Sequence, residues 1–232
     1  MKMIGLIGGM SWESTAIYYR LINEGVKARL GGHHSAKIIL YSVDFAEIEH
    51  LQKSDRWIEA GQMLSEAARA LQNAGADFIV LCTNTMHKVA SAIESAITIP
   101  FLHIADPTAE AIKATGISTV GLLGTRFTME QDFYVGRLRN RHQIKTIVPD
   151  TEDRNEVHRV IYEELVHGRI LESSRRCFVD IVARLEQRGA HAIILGCTEI
   201  GMLFDQAHID LKYFDSTKLH ADMAVKFALV EQ

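Results

Sequence analysis

The sequence predicts an α/β protein built as two similar doubly wound parallel-sheet lobes, related by internal duplication, with the active site in the cleft between them. Three observations carry that expectation. LQNAGADFIVL at 71–81 aligns with LEQRGAHAIIL at 185–195, an offset of 114. GLIGGM at 5–10 aligns with GLLGTR at 121–126, and IADPT at 104–108 with YFDST at 213–217, at offsets of 116 and 109. One such match in a chain rich in Leu, Ile and Val is weak evidence; three in the same order mark a repeat. In both halves short apolar runs alternate with helical periods, the pattern of parallel strands covered by helices on both faces.

In chain order, residues 3–7 are a buried strand ending on Gly8-Gly9. Ser11, followed by Glu13 and Ser14, caps a helix that stops at Gly31-Gly32. Residues 36–42 form the next strand, and 43–56 are polar with only a faint helical period. Residues 58–73 are an amphipathic helix stopped at Ala74-Gly75. IVLCTNT at 79–85 is a strand with its exit, followed by a helix over 86–95 and a strand over 99–105. Asp106-Pro107 opens another helix. The second half repeats the series: strands at 120–124, 143–148 and 193–196, and helices over 127–139, 152–171 and 173–187. The last helix, 218–229, is expected to pack back on the first lobe, because its repeat partner follows Asp106. The first lobe is therefore expected to hold residues 1–98 plus 210–232, and the second 99–209.

Composition narrows the function. The chain of 232 residues is 47 % hydrophobic and 23 % charged, as in an ordinary globular protein. A net charge of −4 without a basic cluster argues against nucleic acid. No apolar run is long enough for a membrane span, and the first residues read as a strand, not a signal peptide. Three cysteines, Cys82, Cys177 and Cys197, form no disulfide framework, which suits a reducing cytoplasm. No His, Cys and carboxylate cluster has metal spacing. GLIGGM lacks the third glycine and the ribose acid of a dinucleotide site.

In parallel sheets ligands bind beyond the carboxyl ends of the strands. The polar motifs all fall there: 8–14, 82–85, 106–108, 124–128, 197–199 and 215–217. The offset of 114 sets Cys82 on Gly196, Thr83 on Cys197, Asn84 on Thr198 and Thr85 on Glu199. Cys197 ends an apolar strand just before a helix start, where backbone N–H groups and the helix dipole favour a thiolate. Two opposed acid/base positions about one carbon suit proton removal on one face and return on the other. That is racemisation or epimerisation.

IVLCTNTMH, IILGCTEI, GLIGGMSWEST, HIAD and GLLGTRFTM resemble the aspartate/glutamate racemase family, the cofactor-independent amino-acid racemases, over essentially the whole chain. The resemblance is closest to the enterobacterial L-aspartate/glutamate-specific subgroup. It implies paired α/β lobes and one cysteine per lobe acting at the α-carbon, with no pyridoxal phosphate and no metal. The family's first motif reads Cys-Asn-Thr, whereas this chain has Cys82-Thr83-Asn84-Thr85. Matching the family's Asn-Thr puts Thr83 in the cysteine slot, as the internal repeat does. Cys82, one residue early, then faces the packed side of the strand. A bulge at Thr83 would instead return it to the cleft.

The expected catalytic residues are thus Cys197, as thiolate base toward the L-amino acid, and Thr83, as proton donor on the opposite face. Substrate contacts are expected from Met10, Ser11, Gln52, Asn84, Thr85, Thr198 and Glu199. Glu199 either holds the substrate or assists Cys197, or else caps the following helix. Asp106 and Asp215 read as helix caps, and His103 and His220 as structural. A second substrate carboxylate calls for a cation. Val166 stands at the family's usual lysine, leaving Lys53 and Arg126 as the nearest choices. The expected partners are an amino-acid substrate and a second copy of the chain in a homodimer. Single-thiol decarboxylases and isomerases with the same lobes, and a non-catalytic amino-acid-binding protein, are the alternatives.

Overall fold

A computed structural model describes residues 1–203 and 208–229. The chain forms two units, Met1–Ile104 with His220–Gln232, and Ala105–Leu219. In the first, β1 (Ile4–Gly8) leads to α1 (Trp12–Leu30), β2 (Ile38–Ser42), α2 (Phe45–Lys53) and α3 (Trp57–Asn73). Then come β3 (Phe78–Leu81), a 3-10 turn (Thr85–Val89), α4 (Ala90–Ala96) and the short β4 (Phe101–Leu102). The second unit opens with α5 (Ala105–Lys113), β5 (Thr119–Gly124), α6 (Arg126–Glu130), α7 (Asp132–His142) and β6 (Lys145–Ile147). It continues through α8 (Thr151–Glu163), a 3-10 turn (Leu165–His167), α9 (Glu172–Gln187), β7 (Ile193–Gly196), α10 (Ile200–Leu203) and β8 (Tyr213–Asp215). The closing helix is α11 (Ser216–Leu229).

Each unit carries a four-stranded sheet with parallel pairing throughout, in the orders β2-β1-β3-β4 and β6-β5-β7-β8. The duplication is visible strand by strand. The turnover between units falls beyond residues 98 and 209, because β4 pairs with β3 and β8 with β7.

In the first unit strand alternation separates two cores. Ile4, Leu6, Phe78, Val80 and Cys82 meet Tyr18, Ile22 and Val26 of α1 on one face. Ile7, Ile79 and Leu81 meet Ile48, Leu64, Ala68, Met86 and Ile93 on the other. Side chains two apart share a face, so one strand serves both cores. The first face also takes Ala221, Ala224, Val225 and Ala228, so α11 packs on the first unit as expected. Its small residues let the helix lie close to the sheet.

Several elements differ from their sequence expectation for local reasons. The polar stretch 43–56 contains a true helix, α2, capped by the Asp44 carboxylate on Ala46 N–H at 3.0 Å. It is only 9 residues long and buries Ile48, Leu51 and Gln52, too few positions to show a clear period. The helix expected over 152–171 breaks at Glu164 into a 3-10 turn and closes on left-handed Gly168. The one over 127–139 breaks at Gln131, whose backbone is extended. Among the described residues no helix is long and apolar enough to cross a membrane.

Two glycine positions set the strand approaches. Gly75 (φ +98°) and Gly189 (φ +94°) are repeat mates, each turning a helix into the next strand in a left-handed conformation. Gly9 (φ +92°) turns the chain out of β1, and a Cβ there would sit 2.2 Å from the Val43 carbonyl oxygen. Gly9→Ala should therefore combine backbone strain with a clash the backbone of Val43 cannot yield to, costing about 3 kcal/mol or more. Gly189→Ala has no atom within 4 Å of the added methyl. Only the left-handed penalty of about 1–2 kcal/mol remains. Urea unfolding of both variants checks the order; equal losses would contradict it.

Candidate active site

In each sheet the chain reverses its order about the first strand, between β1 and β3 and between β5 and β7. The carboxyl ends at such a switch point diverge and leave a crevice for a ligand. The loops that leave these strands hold nearly all of the expected site residues.

After β1, Thr15 locks the turn: its hydroxyl accepts from Gly9 N–H at 2.8 Å and donates to the Ser11 carbonyl at 2.9 Å. The Ser11 hydroxyl caps α1 by accepting from Ser14 N–H at 3.3 Å. Met10 packs into the core with Ile7, Ile48 and Leu81. Both residues sit at the switch point, with side chains engaged in the turn and the core.

After β3 the register question is answered by the backbone. Cys82 N–H donates to the Ile7 carbonyl at 2.9 Å, so the ladder runs through Cys82 without a bulge. Cys82 continues the face of Phe78 and Val80 and is 0 % exposed, whereas Thr83 is 9 % exposed. Burial drives the Cys82 thiol far above its ordinary range. The chain then turns at once, Thr83 N–H bonding the Leu81 carbonyl at 2.9 Å, and Asn84 and Thr85 follow, both buried. Gln52 reaches this loop from α2: its amide donates to the Met86 sulfur at 3.0 Å. A thioether is a weak acceptor.

His87 has a role that the sequence reading did not assign. Its Nδ1 lies 2.8 Å from the Thr83 carbonyl, and its Nε2 accepts from Ile104 N–H at 3.2 Å. His220 bridges the Tyr18 hydroxyl and the Leu102 carbonyl, both at 2.9 Å. The His103 and His87 rings stand edge to face, with centroids 4.6 Å apart. All three histidines are buried in the first unit. The spacing of four between Thr83 and His87 was the one sequence signal for the first of these bonds.

In the second unit Gly124 and Gly196 pair across β5 and β7, and each comes within 3.0 Å of a neighbouring carbonyl oxygen at the place of a Cβ. Small residues here let the two strand ends close up. Cys197 follows directly, 9 % exposed, and its Sγ donates to Glu199 Oε2 at 2.9 Å. Thr217 at the start of α11 bonds the Thr198 hydroxyl at 3.3 Å, and Ser216 bonds the Leu195 carbonyl at 2.7 Å. The exit of β7 is therefore tied to α11 from both sides.

The surroundings of Cys197 oppose the thiolate that its place at a helix start favours. Burial, then the charge and hydrogen bond of Glu199, push the Cys197 thiol well above its ordinary value. The backbone N–H groups of Glu199 and Ile200 act in the anticipated direction, lowering it, but are outweighed. The geometry directs the Cys197 thiol at the Glu199 carboxylate.

The two aspartates of the repeat differ. Asp215 caps, accepting from Thr217 and Lys218 N–H at 3.0 and 3.1 Å. Asp106 lies inside the first turn of α5 and instead holds Arg137 in a two-bond fork at 2.7 and 2.6 Å, with His142 at 3.0 Å. Burial alone would raise its carboxyl; these partners hold it below its ordinary value. As for a cation, Lys53 is exposed and paired to Glu49 at 2.8 Å, and Arg126 is exposed. Val166 sits half-buried in the 3-10 turn, beside the buried Glu164, which accepts from Arg159 at 2.9 Å and Ser174 at 2.5 Å.

Comparison with known proteins agrees with this fold. The family model for Asp/Glu/hydantoin racemase matches residues 7–224. The crystal structure of a candidate Asp/Glu racemase from Yersinia pestis superposes with a TM-score of 0.93 at 57% identity, covering 99% of this chain and 100% of that one. An aspartate racemase homologue from Pyrococcus horikoshii OT3 gives 0.85 at 34% identity, over 98% and 99%. The broad specificity amino-acid racemase RacX of Bacillus subtilis (strain 168) is 23% identical over 236 residues, 99% of this chain and 100% of that protein. This chain therefore belongs to the Asp/Glu/hydantoin racemase family, a family of isomerases.

Proposed function

We propose that the protein is a cofactor-independent amino-acid racemase acting on L-aspartate, L-glutamate and other polar amino acids in a reducing cytoplasm. Cys197 serves as base toward the L-enantiomer and Thr83 supplies the proton on the opposite face. The observation that carries this reading is the Cys197–Glu199 pair, a thiol 2.9 Å from a carboxylate at a strand exit, on the switch point of its sheet. The reverse register of Cys82 supports the unequal partner: the first unit sends its cysteine into the core and leaves a threonine at the matching exit.

The Cys197 proton passes to Glu199, leaving a thiolate beside a neutral acid. The thiolate takes the α-proton, and the electron pair of that C–H bond spreads into the α-carboxylate. Backbone N–H groups with the side chains of Asn84, Thr85 and Thr198 stabilise the developing charge. The Thr83 hydroxyl, or a water it holds, delivers a proton to the other face and is restored from solvent, while Glu199 gives its proton up to solvent and regains its charge. A hydroxyl donates acceptably but is a poor base near neutral pH, so removal of a proton from a D-amino acid is disfavoured. Gln52, whose amide reaches the loop after β3 at the Met86 sulfur, contacts a substrate oxygen from that side. A broad substrate range suits a Lys53 that is exposed and engaged by Glu49. The broad specificity of the Bacillus relative supports the same reading.

A second reading shares the one-thiol arrangement: decarboxylation of a malonate with Cys197 protonating the carbanion. It would release carbon dioxide and leave amino-acid α-protons unexchanged.

Exchange of α-protons in heavy water, followed by NMR over a panel of L- and D-amino acids, tests the proposal. L-substrates should exchange at least tenfold faster than their D-enantiomers, and Thr83→Cys should narrow that gap. Cys197→Ala should remove exchange, while Cys82→Ala, which only deletes a buried sulfur, should retain it and lose about 1 kcal/mol of stability. Loss of activity in both cysteine variants alike would count against the assignment. Glu199→Gln separates reactivity from catalysis. Removing the charge that raises the Cys197 thiol should speed its alkylation by iodoacetamide at a given neutral pH. Exchange should slow at the same time, because the proton acceptor is gone. In the native protein alkylation should rise steadily with pH through the neutral range, as expected of a thiol held protonated.

A further inference from the structure

We propose that His87 is a positioning residue for the proton-return step: its ring holds the Thr83 carbonyl and so aims the Thr83 side chain. The proposal rests on the functional reading above and adds a residue to it. The imidazole has a defined tautomer. Nε2 accepts from the Ile104 N–H, so the ring proton is on Nδ1, which donates to the Thr83 carbonyl at 2.8 Å. A buried neutral ring thus joins the exit of β3 to the exit of β4.

That bond falls on the residue whose backbone most needs it. Thr83 leaves the ladder in a tight turn, its N–H on the carbonyl only two residues back. Cys82 before it is anchored in the core, and Thr85 after it begins the 3-10 turn. The Thr83 carbonyl is the remaining handle that sets how the peptide, and with it the side chain, is rotated. Packing of the His87 ring against Phe101, His103 and His220, with centroids 5.5, 4.6 and 5.8 Å away, leaves it little room to swing.

The second unit shows that the repeat does not require a histidine here. At the offset of 114 His87 falls on Gly201, and a Cβ there would already be 3.0 Å from Asp215 Oδ2. In that unit the corresponding space is closed by the carboxylate at the exit of β8. Cys197 instead takes its orientation from Glu199. Each unit therefore aims its reactive residue with a different side chain: an acid beside the thiol, an imidazole behind the threonine.

Two variants separate the ring's two bonds. The amide of His87→Asn lies where Nδ1 was and can still donate to the Thr83 carbonyl. The amide of His87→Gln lies where Nε2 was and can meet Ile104 N–H but not Thr83. In heavy water with an L-substrate, deuterium uptake without inversion reports Cys197 alone, and appearance of the D-enantiomer reports the Thr83 step. His87→Gln should invert at least tenfold more slowly while its exchange stays within about twofold of wild type. His87→Asn should keep both within about threefold. The 13C shift of the Thr83 carbonyl should move in the Gln variant and not in the Asn variant, a readout independent of turnover.

A purely structural histidine would lower exchange and inversion together, in both variants, in step with thermal stability; that result overturns the proposal. Wild-type inversion by His87→Gln overturns it while leaving the racemase reading intact. A wild-type enzyme without any exchange removes the racemase reading, and this proposal with it.

Discussion

Along β3 the side chains at 78, 80 and 82 lie on one face and those at 79 and 81 on the other, and the ladder bond from Cys82 to Ile7 carries that alternation to the last residue. This constraint places the Cys82 sulfur in the core. A cysteine one residue early is committed to the core, where burial keeps it protonated and α1 covers it. The next residue, at the turn, is the first one released from the sheet. In the second unit the apolar run ends on Gly196, and Cys197 is the residue so released. The two units share a backbone plan and differ in what stands at one position.

Around that position side-chain hydrogen bonds hold the loops that leave the strands. Thr15 locks the turn after β1, His87 the turn after β3, and Ser216 and Thr217 the turn after β7. Buried polar groups of this kind are costly unless satisfied, and each here has a backbone or side-chain partner with good geometry. The same economy explains why Cys197 needs a carboxylate at hand. A thiol enclosed this deeply cannot rely on a short helix to stay ionised, so its proton must have somewhere to go.

Much of this was legible beforehand because repeats and alternation are local patterns. The three offsets announced two matching units, and both sheets have the same strand order. Thr83 was marked by register alone, and the ladder bond excluded the bulge that would have returned Cys82 to the surface. Short elements were harder. The α2 helix has too few buried positions to display a period, and the breaks at Gln131 and Glu164 depend on single backbone conformations. The role of Asp106 was also hidden, since its partners Arg137 and His142 come from α7, more than thirty residues on.

The sequence by itself determined the architecture and the family, and made Thr83 and Cys197 repeat mates, because periodicity, internal similarity and motif spacing are written in the order of residues. Tertiary structure decided the surroundings of the thiol and the contacts of His87. Both depend on distances between groups and on exclusion of water. The local backbone at Cys197 favours a thiolate; burial beside Glu199 reverses that preference. Four residues of spacing allowed His87 to reach Thr83, but only the packing of β4 beside β3 gave its second nitrogen a partner and fixed which way the ring points.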